Sequence, residues 1–158
     1  VNLSFSSLLQ SLMNISLKCP HCGTQIAAPA TVGLEQKMAE CPKCHAKEPV
    51  GNYFPRLSLM VGDTKYQLRF GQQWVGRRRE NNTAEVQIPD STCYMSRRHA
   101  LIEVHVTAAG LECTFEEHGK NPTRIHDVEL QEGDIIYLNV NDCLTLGETK
   151  MYLANDFE

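Results

Sequence analysis

Two apolar–polar alternations joined by a tight turn constrain this chain more than any other feature. Ile102, Val104 and Val106 alternate with Glu103 and His105, and Leu111, Cys113 and Phe115 alternate with Glu112, Thr114 and Glu116. A period of two places one set on a buried face and the other in water, as in a half-buried strand. Ala109-Gly110 between the runs reads as a turn, so the pair is expected to be an antiparallel hairpin with one wet face. Runs of strand type recur at 57–61 and 66–70, flanking a Gly62-Asp63 turn, and again at 135–138, 144–146 and 151–153. Many short strands without a helical period between them predict a mainly β chain folded as a sandwich. Cys113 falls on the inward register as a small core residue, whereas Cys143 has the opposite parity to Leu144 and Leu146.

Arginines gather at the edges of two such runs. One cluster is Gly76-Arg77-Arg78-Arg79 and the other is Ser96-Arg97-Arg98-His99-Ala100. A guanidinium offers a planar fork of donors that matches phosphate or carboxylate oxygens, and Ser96 adds a neutral hydroxyl. An anion site, with phosphate the expected occupant, is one reading; a solvated basic face is the other.

The same residues resemble the forkhead-associated (FHA) domain family, whose pattern runs Gly-Arg, then Ser-x-x-His, then an Asn-Gly turn. Gly76-Arg77 and Ser96-Arg97-Arg98-His99 stand in that order and spacing. Residues 123–130 stand where the family has a strand and a second turn. Asn141-Asp142-Cys143-Leu144-Thr145-Leu146-Gly147 is similar to its closing strand, with Asn141 in place of the first glycine. The resemblance implies an FHA-type β-sandwich over residues 57–155 and a non-enzymatic adaptor that binds phosphothreonine in partner proteins. It implies that Arg77 holds the phosphate, Ser96 donates its hydroxyl, and Arg97 adds a second positive contact. Asn121 would bond the peptide backbone, and Tyr94 would read side chains beyond the phosphothreonine. Gly76 and His99 would be architectural. The chain departs from the pattern where Asn-Gly is replaced by Asn121-Pro122, preceded by Lys120. Proline fixes φ and lacks an amide hydrogen, and it pushes the preceding residue toward extended conformations. The Asn121 loop is therefore expected to leave the family path, with the Lys120 ammonium available to compensate.

Ahead of the sandwich, Cys19-Pro20-His21-Cys22-Gly23 and Cys41-Pro42-Lys43-Cys44-His45 form two Cys-x-x-Cys pairs eighteen residues apart. That spacing suits a structural zinc bound by Cys19, Cys22, Cys41 and Cys44, one ion per chain. The segment resembles a zinc ribbon over residues 15–50. Four thiolates fill a tetrahedron, so His21 and His45 read as bystanders. Two redox dithiols are the alternative, but these occupy helix starts in βαβ units, and no such unit surrounds the pairs. A ribbon this small buries too little to fold alone; zinc would supply on the order of 10 kcal/mol.

Charge narrows the function. The formal net charge is −4. From Arg69 to His99 six arginines face Glu80, Glu85 and Asp90, whereas from Asp127 onward eight acids face Lys150 alone. The ribbon is near neutral, which argues against nucleic acid as a partner; a nucleic-acid regulator and a phosphate-independent docking module stand as rivals. No nucleophile–base pair, apolar carboxylate pair or phosphate-cradling glycine loop is present, which argues against an enzyme and against a small-molecule substrate. Residues 1–14, in a run uncharged up to Leu17, are expected to be a disordered or non-native leader, too short for a membrane span and without a signal-peptide pattern; a signal or partner-binding helix is the lesser reading. Residues 51–56 read as a linker. Seven cysteines, an odd number, imply reduced thiols and a cytoplasmic protein.

Overall fold

The computed structural model describes residues 14–157; the expected leader, apart from Asn14, lies outside the described residues. These residues form two compact units, each with its own short strands.

The first unit takes residues 14–55 together with His105–Glu112 and Phe157. β1 (Asn14–Lys18) and β2 (Gln25–Pro29) make one antiparallel hairpin, and β3 (Met38–Glu40) and β4 (Lys47–Pro49) make a second. Each hairpin turns at a cysteine pair. The Gly23 amide donates to the Cys19 carbonyl and the His45 amide to the Cys41 carbonyl, both at 2.9 Å. Gly23 and His45 also share a left-handed backbone, with φ of 75° and 64°. The two turns are therefore copies of one knuckle, and His45 holds a position that favours glycine. The 51–56 stretch is not open chain: a 3-10 turn spans Val50–Tyr53, and Tyr53 and Phe54 are buried. In the same unit the Glu35 carboxylate accepts the Val106 amide (3.2 Å), and the Gly33 amide donates to the Val106 carbonyl (3.3 Å).

The second unit is a two-sheet sandwich. Its strands are β5 (Arg56–Val61), β6 (Thr64–Gln67), β7 (Gly71–Arg77), β8 (Val86–Ile88), β9 (Ala100–Thr107), β10 (Gly110–Glu117), β11 (Arg124–Ile125), β12 (Val128–Glu129), β13 (Ile135–Leu138), β14 (Cys143–Leu146) and β15 (Thr149–Asp156), except that the hairpin end of β9 and β10, His105–Glu112, counts with the first unit. One sheet runs β13-β10-β9-β7-β8 and the other β12-β11-β14-β15-β5-β6. Pairing is antiparallel apart from β7 with β8, which run parallel through Val75–Val86, Gly76–Gln87 and Arg77–Ile88. That parallel pair brings the end of β7, where the first arginine cluster begins, alongside β8.

The expected alternation is present. Ala100, Ile102, Val104 and Val106 of β9 are buried while the residues between them are half-exposed. Val75, Ile88, Ile102 and Phe115 from one sheet are buried, as are Leu59, Leu144, Leu146 and Leu153 from the other. Several connections of this unit use left-handed residues other than glycine, Asn81 and Cys93 among them. His126 and Asp127 (φ 50° and 64°) close β11 onto β12, and Asn141 (φ 76°) opens the approach to β14. Asparagine tolerates that region better than most residues, which accounts for its standing where the family has glycine.

Cys113 is buried, and burial pushes its thiol up to about 12. Cys93 and Cys143 are exposed. Brief alkylation of the native protein at pH 8 should label Cys93 and Cys143 and leave Cys113 unmodified until denaturant is added. Peptide mass mapping reads this directly; early labelling of Cys113 would contradict the packing described.

Candidate functional site

Three connections of the sandwich meet at one end: residues 78–85 after β7, 89–99 between β8 and β9, and 118–123 between β10 and β11. They enclose an open cleft of about 670 Å³. Arg77, Tyr94, Ser96, Arg97, Lys120 and Asn121, all expected from the sequence, line it together, and so do Arg98, Asn82 and Cys93. No aspartate or glutamate is among its lining residues. Arg78 and Arg79 of the first cluster are not part of it.

Arg77 is the last residue of β7 and is anchored to the facing loop. Its amide donates to the Ser96 carbonyl (2.9 Å) and its Nε to the Met95 carbonyl (3.0 Å), with Nη1 3.8 Å from Cys93 Sγ. The rest of the guanidinium fork is left for the cleft. The Ser96 hydroxyl oxygen accepts the Lys120 amide at 2.9 Å, so its own proton is available to donate. The Asn121 side-chain Nδ2 donates to the Tyr94 carbonyl at 3.0 Å. Gly76 is required sterically: a Cβ there would sit 1.8 Å from the Arg97 carbonyl oxygen. Arg98 leans 5.3 Å over the Trp74 ring and donates to the Thr83 hydroxyl at 2.8 Å, so it is already engaged.

Beneath the cleft lies a buried polar network. The Ser96 amide donates to His99 Nδ1 (3.0 Å), which makes that nitrogen an acceptor and places the ring proton on Nε2. Nε2 then donates to the Thr123 hydroxyl (3.0 Å), which donates on to Glu117 Oε1 (3.2 Å). Glu117 also accepts the amides of Gly119 (3.0 Å) and Thr123 (2.5 Å). His99, Glu117 and Thr123 are all fully buried. Gly119 is a glycine because any Cβ would lie 2.2 Å from the His99 ring. The histidine is thus a structural tie between the 89–99 and 118–123 connections. Burial holds its imidazole below the ordinary histidine range, against the opposing pull of Glu117 and Asp90.

Sequence reasoning placed His99 but missed its partners. Glu117 had a readable signal: it continues the inward series Cys113, Phe115, so an acid there must be paired inside. Asn82 had none. Its side-chain nitrogen donates to the carbonyls of both Arg77 (2.8 Å) and Arg97 (2.9 Å), tying the two arginine-bearing segments together.

In the first unit, Cys19, Cys22, Cys41 and Cys44 bring their sulfurs within 4.8 Å of one another. Cys19 and Cys44 are 3.7 Å apart and Cys22 and Cys41 3.6 Å. Tetrahedral thiolates 2.3 Å from a zinc ion would stand about 3.8 Å apart, so the cluster is compatible with a metal site. The hydroxyl and backbone amide of Thr24 hold the Cys22 thiol down at about 6. His21 pairs with Glu48 at 2.6 Å and stands outside the cluster.

The family model of the FHA domain matches residues 74–147. That stretch is an FHA domain. Solved structures agree in fold. Full-length yeast Pml1p is 22% identical at a TM-score of 0.53, covering 65% of this chain and 81% of its own. The FHA domain of the CT664 protein from Chlamydia trachomatis is 22% identical at 0.51, covering 63% and 96%. The MEK1 FHA domain, solved with a HOP1 peptide carrying pThr318, is 14% identical at 0.52, covering 63% and 95%. A comparison with curated proteins finds no match. No helix among the described residues is long and apolar enough to cross a membrane.

The state of His99 can be followed by NMR. Its ring should stay neutral as pH falls through the usual histidine value of about 6.5. The unfolded chain then takes up a proton that the folded chain refuses, so this residue lowers stability as pH drops below that point. A His99 titration midpoint above 6.5 would contradict the network.

Proposed function

We propose that the FHA domain of this protein binds phosphothreonine in a partner protein, and that the protein is a non-enzymatic adaptor. The observation that carries this reading is the cleft lined by Arg77, Ser96, Arg97 and Lys120 with no acid on its wall. Phosphothreonine brings roughly −1.5 to −2 charges and three acceptor oxygens. In this reading the free part of the Arg77 fork and the Ser96 hydroxyl take two of those oxygens, and Arg97 and Lys120 supply the remaining positive field. The peptide complex of the MEK1 domain, which shares the fold, supports this choice of ligand. Tyr94, 47% exposed at the rim, would meet the residues flanking the phosphothreonine. Asn121 spends a donor on the Tyr94 carbonyl and therefore acts first as a brace between loops, with less left for the peptide backbone.

The ribbon, in this proposal, holds one structural zinc on its four thiolates and has no open position for a substrate. Seven cysteines are free of disulfides, which suits a reducing compartment such as the cytoplasm.

Calorimetric titration with a phosphothreonine peptide and its unphosphorylated twin tests the reading. Hydrogen bonds to charged groups are worth about 1.5–3 kcal/mol each, so Arg77→Ala should weaken binding at least tenfold. Ser96→Ala should cost less, and Asn121→Ala less than Arg77→Ala. Equal binding of the two peptides would overturn the proposal and favour a phosphate-independent module on the same scaffold.

Zinc is tested by elemental analysis. Freshly purified, reduced protein should hold about one zinc per chain, and Cys41→Ser should lose most of it. Metal-free protein with the same far-UV circular dichroism would refute the assignment.

A further inference from the structure

The outer face of the β12-β11-β14-β15-β5-β6 sheet carries a second groove, of about 680 Å³, that the phosphate reading does not use. Strand register arranges its side chains in two rows. Arg124 pairs with Thr145, and Thr145 with Lys150, giving a row of two cations with a hydroxyl between them. Cys143 pairs with Tyr152, and Tyr152 with Met60, giving a parallel apolar row. Thr145 and Cys143 are two residues apart on β14, as are Lys150 and Tyr152 on β15. The rows are therefore separated by about 7 Å along the strands.

This face is outward: the intervening Leu144, Met151 and Leu153 are buried while Arg124, Cys143, Lys150 and Tyr152 are exposed. No hydrogen bond or ion pair holds the Arg124 or Lys150 head group among the described residues. His126, at the groove's end, is 3.4 Å from Asp142 and so partly answered. Asp127 also lines the groove, and Glu129 stands opposite Arg124 across β11–β12.

We propose that this groove is a docking site for an extended segment of a partner protein that carries an acidic residue and, two positions on, an apolar one. The carboxylate lies over Thr145 between Arg124 and Lys150. The apolar side chain lies on Tyr152 and Met60, since residues two apart in an extended chain share a face. Charge fixes the occupant's class. Two unpaired cations suit a single carboxylate, whereas Asp127, Glu129 and Asp142 nearby would repel a polyanion such as nucleic acid. The apolar row excludes an inorganic anion as the whole ligand.

The test uses the full chain and a blocked pentapeptide, Thr-Asp-Thr-Leu-Thr, followed by amide NMR at low salt with peptide up to millimolar concentration. Shifts are expected at Thr145, Lys150, Tyr152 and Met60. Replacing the peptide's Asp by Asn, or the protein's Arg124 and Lys150 by Ala together, should weaken the response roughly fivefold, the scale of two exposed ion pairs. Both side chains are exposed, so these variants should fold. Arg77→Ala should leave the response unchanged, which separates this site from the phosphate cleft. Absence of shifts on this face, or equal shifts with the Asn peptide, would overturn the proposal.

Discussion

A buried carboxylate anchors the cleft end of the sandwich. Glu117 is fully enclosed, and its oxygens accept the Thr123 amide, the Thr123 hydroxyl and the Gly119 amide. Burying an acid without such partners would cost several kcal/mol, so the 118–123 connection has little freedom to adopt another course. Through Thr123 the carboxylate fixes His99, and through His99 it fixes the Ser96 amide. Arg77 then binds the same loop by its amide and Nε. The chain of bonds runs from core to surface, and each step orients the next. The cleft's donors are therefore positioned before any ligand arrives, which lowers the ordering cost that binding must meet.

The substitution of proline for the family's glycine after Asn121 takes its place in the same network. The loop stays attached at both ends: Lys120 donates its amide to Ser96 Oγ, and Thr123 is held by Glu117. Pro122 thus sits between two anchored residues, and Asn121 still lines the cleft. One of its side-chain donors is committed to the Tyr94 carbonyl.

Much of this was legible in the residues. Period-two alternation placed Ile102, Val104 and Phe115 inward and Cys143 outward because strand geometry leaves a side chain only two faces. Cysteine spacing gathered four sulfurs because a ribbon's two turns repeat one hydrogen-bond pattern. Less local features were hidden. The parallel pairing of β7 with β8 and the reach of Asn82 to the carbonyls of Arg77 and Arg97 depend on loop paths that no periodicity encodes. The stretch 51–56 read as a linker because Gly51, Asn52 and Pro55 are turn residues. It also holds two buried aromatics, Tyr53 and Phe54, which those turn residues do not announce.

The central claim is that a phosphate sits against the anchored arginine at the end of β7. A crystal structure of the full chain with a phosphothreonine peptide measures this most directly. The account predicts phosphate oxygens within hydrogen-bond distance of the Arg77 guanidinium and Ser96 Oγ, with the His99–Thr123–Glu117 bonds unchanged. A phosphate bound instead on Arg78 and Arg79, away from Ser96, would contradict it.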